Sequence, residues 1–121
     1  MIGIGVDLVE VDRFRLALSR TPGLVDRLFT ENEKIYSLSR PDPAERFAVR
    51  FAAKEAVMKA LGVGLGACSF KDIEVDNDET GAPSLRLFDR AAQLAFDQGI
   101  TSWKVTLTHT QHMAEAIAIA L

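Results

Sequence analysis

Residues 2–9 alternate between bulky and bare positions. Ile2, Ile4, Val6 and Leu8 fall on one face of a strand, with Gly3, Gly5 and Asp7 on the other. Glycine weakens a strand and marks close approach of another backbone, so Asp7 projects from a face kept bare on its N-terminal side. It is either a solvent-facing acid on an edge strand or a carboxylate held rigidly for a metal. The pattern then turns helical. Asp12 can cap a helix over roughly 13–20, ended by Thr21-Pro22-Gly23, and a short helical piece follows at 24–29. Thr30-Glu31-Asn32-Glu33 is a capping box opening a helix to about Ser39, and Arg40-Pro41 breaks it.

The best-marked helix runs from Asp42 to Leu61. Asp42 is a suitable N-cap, Pro43 suits the first helical position, Glu45 stands where a capping box wants an acid, and Gly62 provides a left-handed stop. Its residues sort into three stripes. Phe47, Phe51 and Met58 are apolar; Arg46, Arg50 and Lys54 make a basic flank; Glu55 and Lys59 share a face with Ala48 and Ala52. One reading is an amphipathic helix carrying Glu55–Lys59 as an exposed i,i+4 pair. The other is a phosphate and metal site, completed by the Gly62-Val63-Gly64-Leu65-Gly66 exit with its bare N–H groups.

Ser69–Asp76 and Ser84–Leu87 read as strands joined by Asn77-Asp78-Glu79-Thr80-Gly81, with the nearby acids solvated. A helix follows over Phe88–Gln98, and Thr101–Thr108 is rich in β-formers. Met113–Leu121 is alanine-rich yet alternates with a period of 2, which predicts a strand hairpinned to the one before it. The predicted fold is α+β: a single domain with an antiparallel sheet packed on one long helix, plus short N-terminal helices.

Composition narrows the function classes. In 121 residues there is room for one core, and 48% apolar with 26% charged residues is ordinary for a globular chain. No apolar run approaches a membrane span, no signal-peptide core opens the chain, and one cysteine excludes an internal disulfide, so a cytoplasmic protein without membrane association is expected. The net charge of −3 argues against a general nucleic-acid binder. Against it stands a local basic patch, Arg13, Arg15, Arg20 and Arg27, which could dock an acidic partner.

Candidate chemistry is sparse. Cys68 has no histidine near it in sequence, and the glycine loop follows a helix where a P-loop or dinucleotide motif would precede one. His109 and His112 are too few for a zinc site. What remains is Asp7 and Glu55 as oxygen ligands, the cations of the 42–61 helix, and the glycine amides. That kit suits Mg2+-dependent chemistry on a phosphoanhydride, since Mg2+ takes few protein carboxylates and shares the substrate's phosphates.

Gly5-Val6-Asp7-Leu8-Val9-Glu10-Val11-Asp12-Arg13, together with Arg50-Phe51-Ala52-Ala53-Lys54-Glu55-Ala56-Val57-Met58-Lys59-Ala60-Leu61-Gly62, resembles the two signatures of the 4′-phosphopantetheinyl transferases. The glycine loop, Thr80-Gly81-Ala82-Pro83 and Thr108-His109-Thr110 also match, and the end-to-end fit of residues 1–121 is similar to the short holo-acyl-carrier-protein synthase type. Thr108 stands where many relatives have serine, which keeps the hydroxyl.

The resemblance implies transfer of the phosphopantetheine arm from coenzyme A to a serine of an acyl carrier protein, releasing adenosine 3′,5′-bisphosphate. By the same resemblance, Asp7 and Glu55 would bind Mg2+ and, with Lys59, form the catalytic centre, Lys59 meeting the leaving phosphate. The serine proton would go to Glu55 or to a water on the metal. Arg50, Lys54 and His109, the Gly64, Leu65 and Gly66 backbone and Pro83 would hold coenzyme A. Arg13 and Arg27 would dock the carrier, and the assembly would be a homotrimer with active sites between subunits. The alternative is a non-catalytic coenzyme A or adenylate-binding module, which needs the basic flank but not the carboxylate pair.

Overall fold

The structure, a computed structural model, describes residues Met1–Leu121. Strand β1 (Gly3–Glu10) leads into helices α1 (Val11–Arg20), α2 (Leu24–Leu28) and α3 (Glu31–Leu38), then the long helix α4 (Pro43–Leu61). A single 3-10 turn precedes the hairpin β2 (Ile73–Asn77) and β3 (Pro83–Leu87); helix α5 (Asp89–Asp97) and strands β4 (Trp103–His109) and β5 (Met113–Ala120) complete the chain. The strands form two antiparallel sheets where one was expected: β1-β5-β4, and the separate pair β2-β3.

Small residues decide how the larger sheet meets α4. Ala114, Ala116, Ala118 and Ala120 of β5 are buried, as are Ala48, Ala52, Ala56 and Ala60 of α4. Beside them lie the bare positions of β1. A Cβ on Gly3 would come within 2.1 Å of the Ala60 carbonyl oxygen, and one on Gly5 within 1.9 Å of that of Ala56. Only glycine admits this approach, because no side chain can displace a helix backbone cheaply. The small neighbours on α4 therefore admit the sheet, not a ligand. The bulky face consequently points outward: Ile4, Val6 and Leu8 are 56%, 51% and 60% exposed, and register places Val6 opposite Ile117 and Ile4 opposite Ile119 on the same face.

The ends of α4 follow the sequence in part. Pro43 opens it and Gly62, at φ +72°, ends it. Asp42 occupies the N-cap without capping by its side chain; its carboxylate instead takes two bonds from the Arg15 guanidinium, at 2.8 and 2.9 Å. The Thr30–Glu33 capping box forms as expected. The hairpin acids divide: Asp76, Asp78 and Glu79 are exposed, whereas Asp72 and Glu74 are buried. Asp72 accepts from the Ser69 amide and Glu74 Oε2 from the Thr30 hydroxyl, while Glu74 Oε1 is buried without a partner.

Candidate active site

Asp7 stands two residues past Gly5 on the helix-facing side of β1, and Glu55 and Lys59 stand one turn apart on α4. The close strand–helix approach brings the three together. Lys59 Nζ donates to Asp7 Oδ1 and to the Val6 carbonyl oxygen, both at 3.0 Å. Lys59 therefore pairs with the strand; the Glu55–Lys59 surface pair does not form. Glu55 has no ion-pair partner in the chain. Burial, then the charge of Asp7, push its carboxyl above the ordinary range, with Lys59 opposing. A half-buried acid raised by a neighbouring acid, with no cation of its own, is a donor set suited to a hard divalent ion.

Two pockets flank α4, and they share no residue. The larger, about 570 Å3, is mostly apolar and has Glu55, Arg13, Phe51 and Leu65 on its wall. Phe51 is half-buried there, its ring 5.0 Å from that of Phe14 and 5.5 Å from that of Phe70. The smaller, about 260 Å3, is polar and gathers Arg46, Arg50, Asn77, Pro83 and His109. His109 contacts Glu45 through Nδ1, and its Nε2 lies 3.3 Å from Arg46 Nη1. Gly64 and Gly66 lie in the exposed loop after α4, and Leu65 of that loop joins the larger pocket. Arg13 of α1 is exposed on the wall of the same pocket, and Arg27 of α2 is exposed.

The comparisons with known proteins bear on this arrangement. A family model described as 4'-phosphopantetheinyl transferase superfamily matches residues 3–118. The chain belongs to this superfamily. Over 119 residues it is 44% identical to a holo-[acyl-carrier-protein] synthase of Moorella thermoacetica, covering 98% of this chain and 93% of that one. Among solved structures, the holo-[acyl-carrier-protein] synthase of Neisseria meningitidis superposes with a TM-score of 0.89 at 31% identity, covering 100% and 99% of the two chains. The Helicobacter pylori holo-[acyl-carrier-protein] synthase in complex with coenzyme A gives 0.85 at 27% identity, covering 98% and 99%. The protein is accordingly a transferase enzyme of the holo-acyl-carrier-protein synthase type.

Within this transferase, one expected coenzyme A ligand is placed elsewhere. Lys54 is fully buried, and its ammonium reaches Glu33 at 2.7 Å, the Phe70 carbonyl oxygen at 2.9 Å and the Ile73 carbonyl oxygen. All three donors are used inside the protein, so Lys54 holds no phosphate. Burial pulls its pKa down and Glu33 pushes it back up. Arg50 is also nearly enclosed, at 2% exposure; it donates to Asn77 Oδ1 at 2.7 Å and its guanidinium lies 4.1 Å from the Tyr36 ring centroid. Its Nε is buried without a partner. The less buried cation of that pocket is Arg46, part of the basic flank yet not singled out as a ligand. Glu45 was read only as a helix-start acid; nothing local signals its pairing with a histidine on β4.

Proposed function

We propose that this transferase moves 4′-phosphopantetheine from coenzyme A to a serine hydroxyl of an acyl carrier protein, with Mg2+ at Asp7 and Glu55. The observation that carries the reading is the Asp7–Glu55–Lys59 cluster, with Lys59 bonded to Asp7 and Glu55 left without a cation. The serine hydroxyl gives its proton to Glu55 or to solvent as its oxygen bonds to the phosphorus bearing the pantetheine arm, the pyrophosphate bridge breaks, and adenosine 3′,5′-bisphosphate leaves. When bound, Mg2+ would neutralise charge on the pyrophosphate oxygens. Lys59, half in solvent and oriented by Asp7 and the Val6 carbonyl, is placed to neutralise or protonate the departing phosphate.

The smaller pocket would seat the donor's 3′-phosphate between Arg46, Arg50 and His109, with Pro83 on its wall. Arg13 and Arg27 would steer an acidic carrier toward Glu55. Because the nucleotide pocket and the carboxylate cluster lie on separate surfaces of one chain, the reading includes a homotrimer that joins one pocket to a neighbour's cluster. The outward apolar row Ile4, Val6, Leu8, Ile117 and Ile119 supports that assembly, since exposed patches of this kind mark association surfaces.

The test is the intact mass of an apo acyl carrier protein after incubation with this protein, coenzyme A and Mg2+, beside an EDTA control. A metal-dependent gain of one phosphopantetheine is expected, and Glu55→Ala should abolish it. Coenzyme A bound without any product, across several carriers, would end the catalytic reading.

A further inference from the structure

The smaller pocket contains a pairing that the reaction scheme does not use. Glu45, in the first turn of α4, lies against Nδ1 of His109 at the end of β4. That Nδ1 is buried and makes no hydrogen bond, and the Glu45 carboxylate is the charged group in contact with it. A carboxylate only accepts, so a hydrogen bond closing across this contact needs the proton on Nδ1. On the other side of the ring, Nε2 faces Arg46 Nη1 at 3.3 Å. A guanidinium only donates, so a bond between Arg46 and Nε2 needs Nε2 as the acceptor. A phosphate oxygen is also an acceptor, and it cannot bond an Nε2 that bears no proton.

We propose that Glu45 is a positioning residue that holds His109 as the Nδ1–H tautomer and supplies the counter-charge for a second proton, taken from solvent onto Nε2, when a phosphate monoester enters this pocket. Arg46, released from the ring, then turns to the same phosphate. The charged and titratable groups around His109 are Glu45, Arg46 and Arg50 from α4 and Tyr36 from α3; the β2-β3 hairpin contributes the neutral Asn77, Gly81 and Pro83. An incoming phosphate dianion adds negative charge beside the ring, and Glu45 is the fixed negative charge at Nδ1 that favours the imidazolium. Glu45 thereby determines preference for donors bearing the 3′-phosphate. This inference rests on the reading of the smaller pocket as the seat of that phosphate.

The experiment compares binding and turnover of coenzyme A and 3′-dephospho-coenzyme A in the wild type, Glu45→Gln, Glu45→Ala, His109→Ala and the Glu45→Ala/His109→Ala pair. Calorimetry in buffers of different ionisation enthalpy reads proton uptake. Uptake on binding coenzyme A but not its dephospho form is expected above about pH 7. Glu45→Gln keeps an acceptor for Nδ1–H but loses the charge. It should raise KM for coenzyme A about tenfold, the scale of one charge-assisted hydrogen bond, with kcat within about twofold and a larger deficit at pH 8 than at pH 6. The double variant should lose little more than either alanine variant. Equal weakening of both donors, additive losses, or no effect of Glu45→Gln would overturn the role of Glu45. If His109→Ala leaves both donors unaffected, the phosphate pocket itself is misplaced and this role falls with it.

Discussion

A Cβ placed on Gly5 would stand 1.9 Å from the carbonyl oxygen of Ala56, so β1 and α4 touch backbone to backbone at that point. The residue two past Gly5 is Asp7 and the residue before Ala56 is Glu55. The contact therefore sets the separation of the two carboxylates, and packing and site geometry are one constraint. Gly5→Ala must push the strand away. The expected loss is about 1–3 kcal/mol of stability, read as a lower denaturation midpoint. Transfer should fall further than stability, because Asp7 moves relative to Glu55 and Lys59.

Lys54→Met separates the structural role of this lysine from phosphate binding. It leaves the buried Glu33 carboxylate without its cation, which costs about 3–5 kcal/mol. Glu33→Gln in the same chain should recover part of that loss by removing the orphaned charge. Protein that remains folded should bind coenzyme A with unchanged affinity. Full stability combined with lost coenzyme A binding would return Lys54 to the nucleotide site.

Glu55→Gln should stabilise the protein at neutral pH in EDTA while removing transfer. Burial and Asp7 raise the Glu55 pKa in the folded state. The folded state then holds more protons than the unfolded one between the ordinary glutamate value, about 4.3, and the raised one. Stability thus falls as pH climbs through that window. The glutamine variant escapes the loss: its melting temperature should exceed the wild type's at pH 7 and converge with it below pH 4. A wild type as stable as the variant at pH 7 would remove the electrostatic account.

In the proposed trimer, the outward face of the larger sheet would carry the assembly. Val6→Lys with Ile117→Lys places two charges at one cross-strand position on that face. Sedimentation should shift from trimer to monomer, transfer should be lost, and the monomer should keep its secondary structure. A native protein that is monomeric and fully active across the micromolar range would end the intersubunit reading.

The amino-acid pattern alone determined where the elements lie. Pro43 and Gly62 bound α4, Thr30 and Glu33 open α3, and the period of 2 makes Met113–Ala120 a strand despite its alanines. These are local rules of sterics and capping, acting within a few residues. The paired motifs around Asp7 and Glu55 likewise pointed to the transferase family. The tertiary structure decided which face is inside. An alternating strand is symmetric in sequence, and only the α4 backbone, which leaves no room for a Cβ on Gly3 or Gly5, turns the isoleucines outward. It also decided which cations are free. Lys54 and Arg46 look alike on one helical stripe, yet Glu33, Phe70 and Ile73 enclose Lys54, while Arg46 meets His109 at the pocket. Those partners come from other elements, and the burial that makes their electrostatics decisive exists only once the chain has folded.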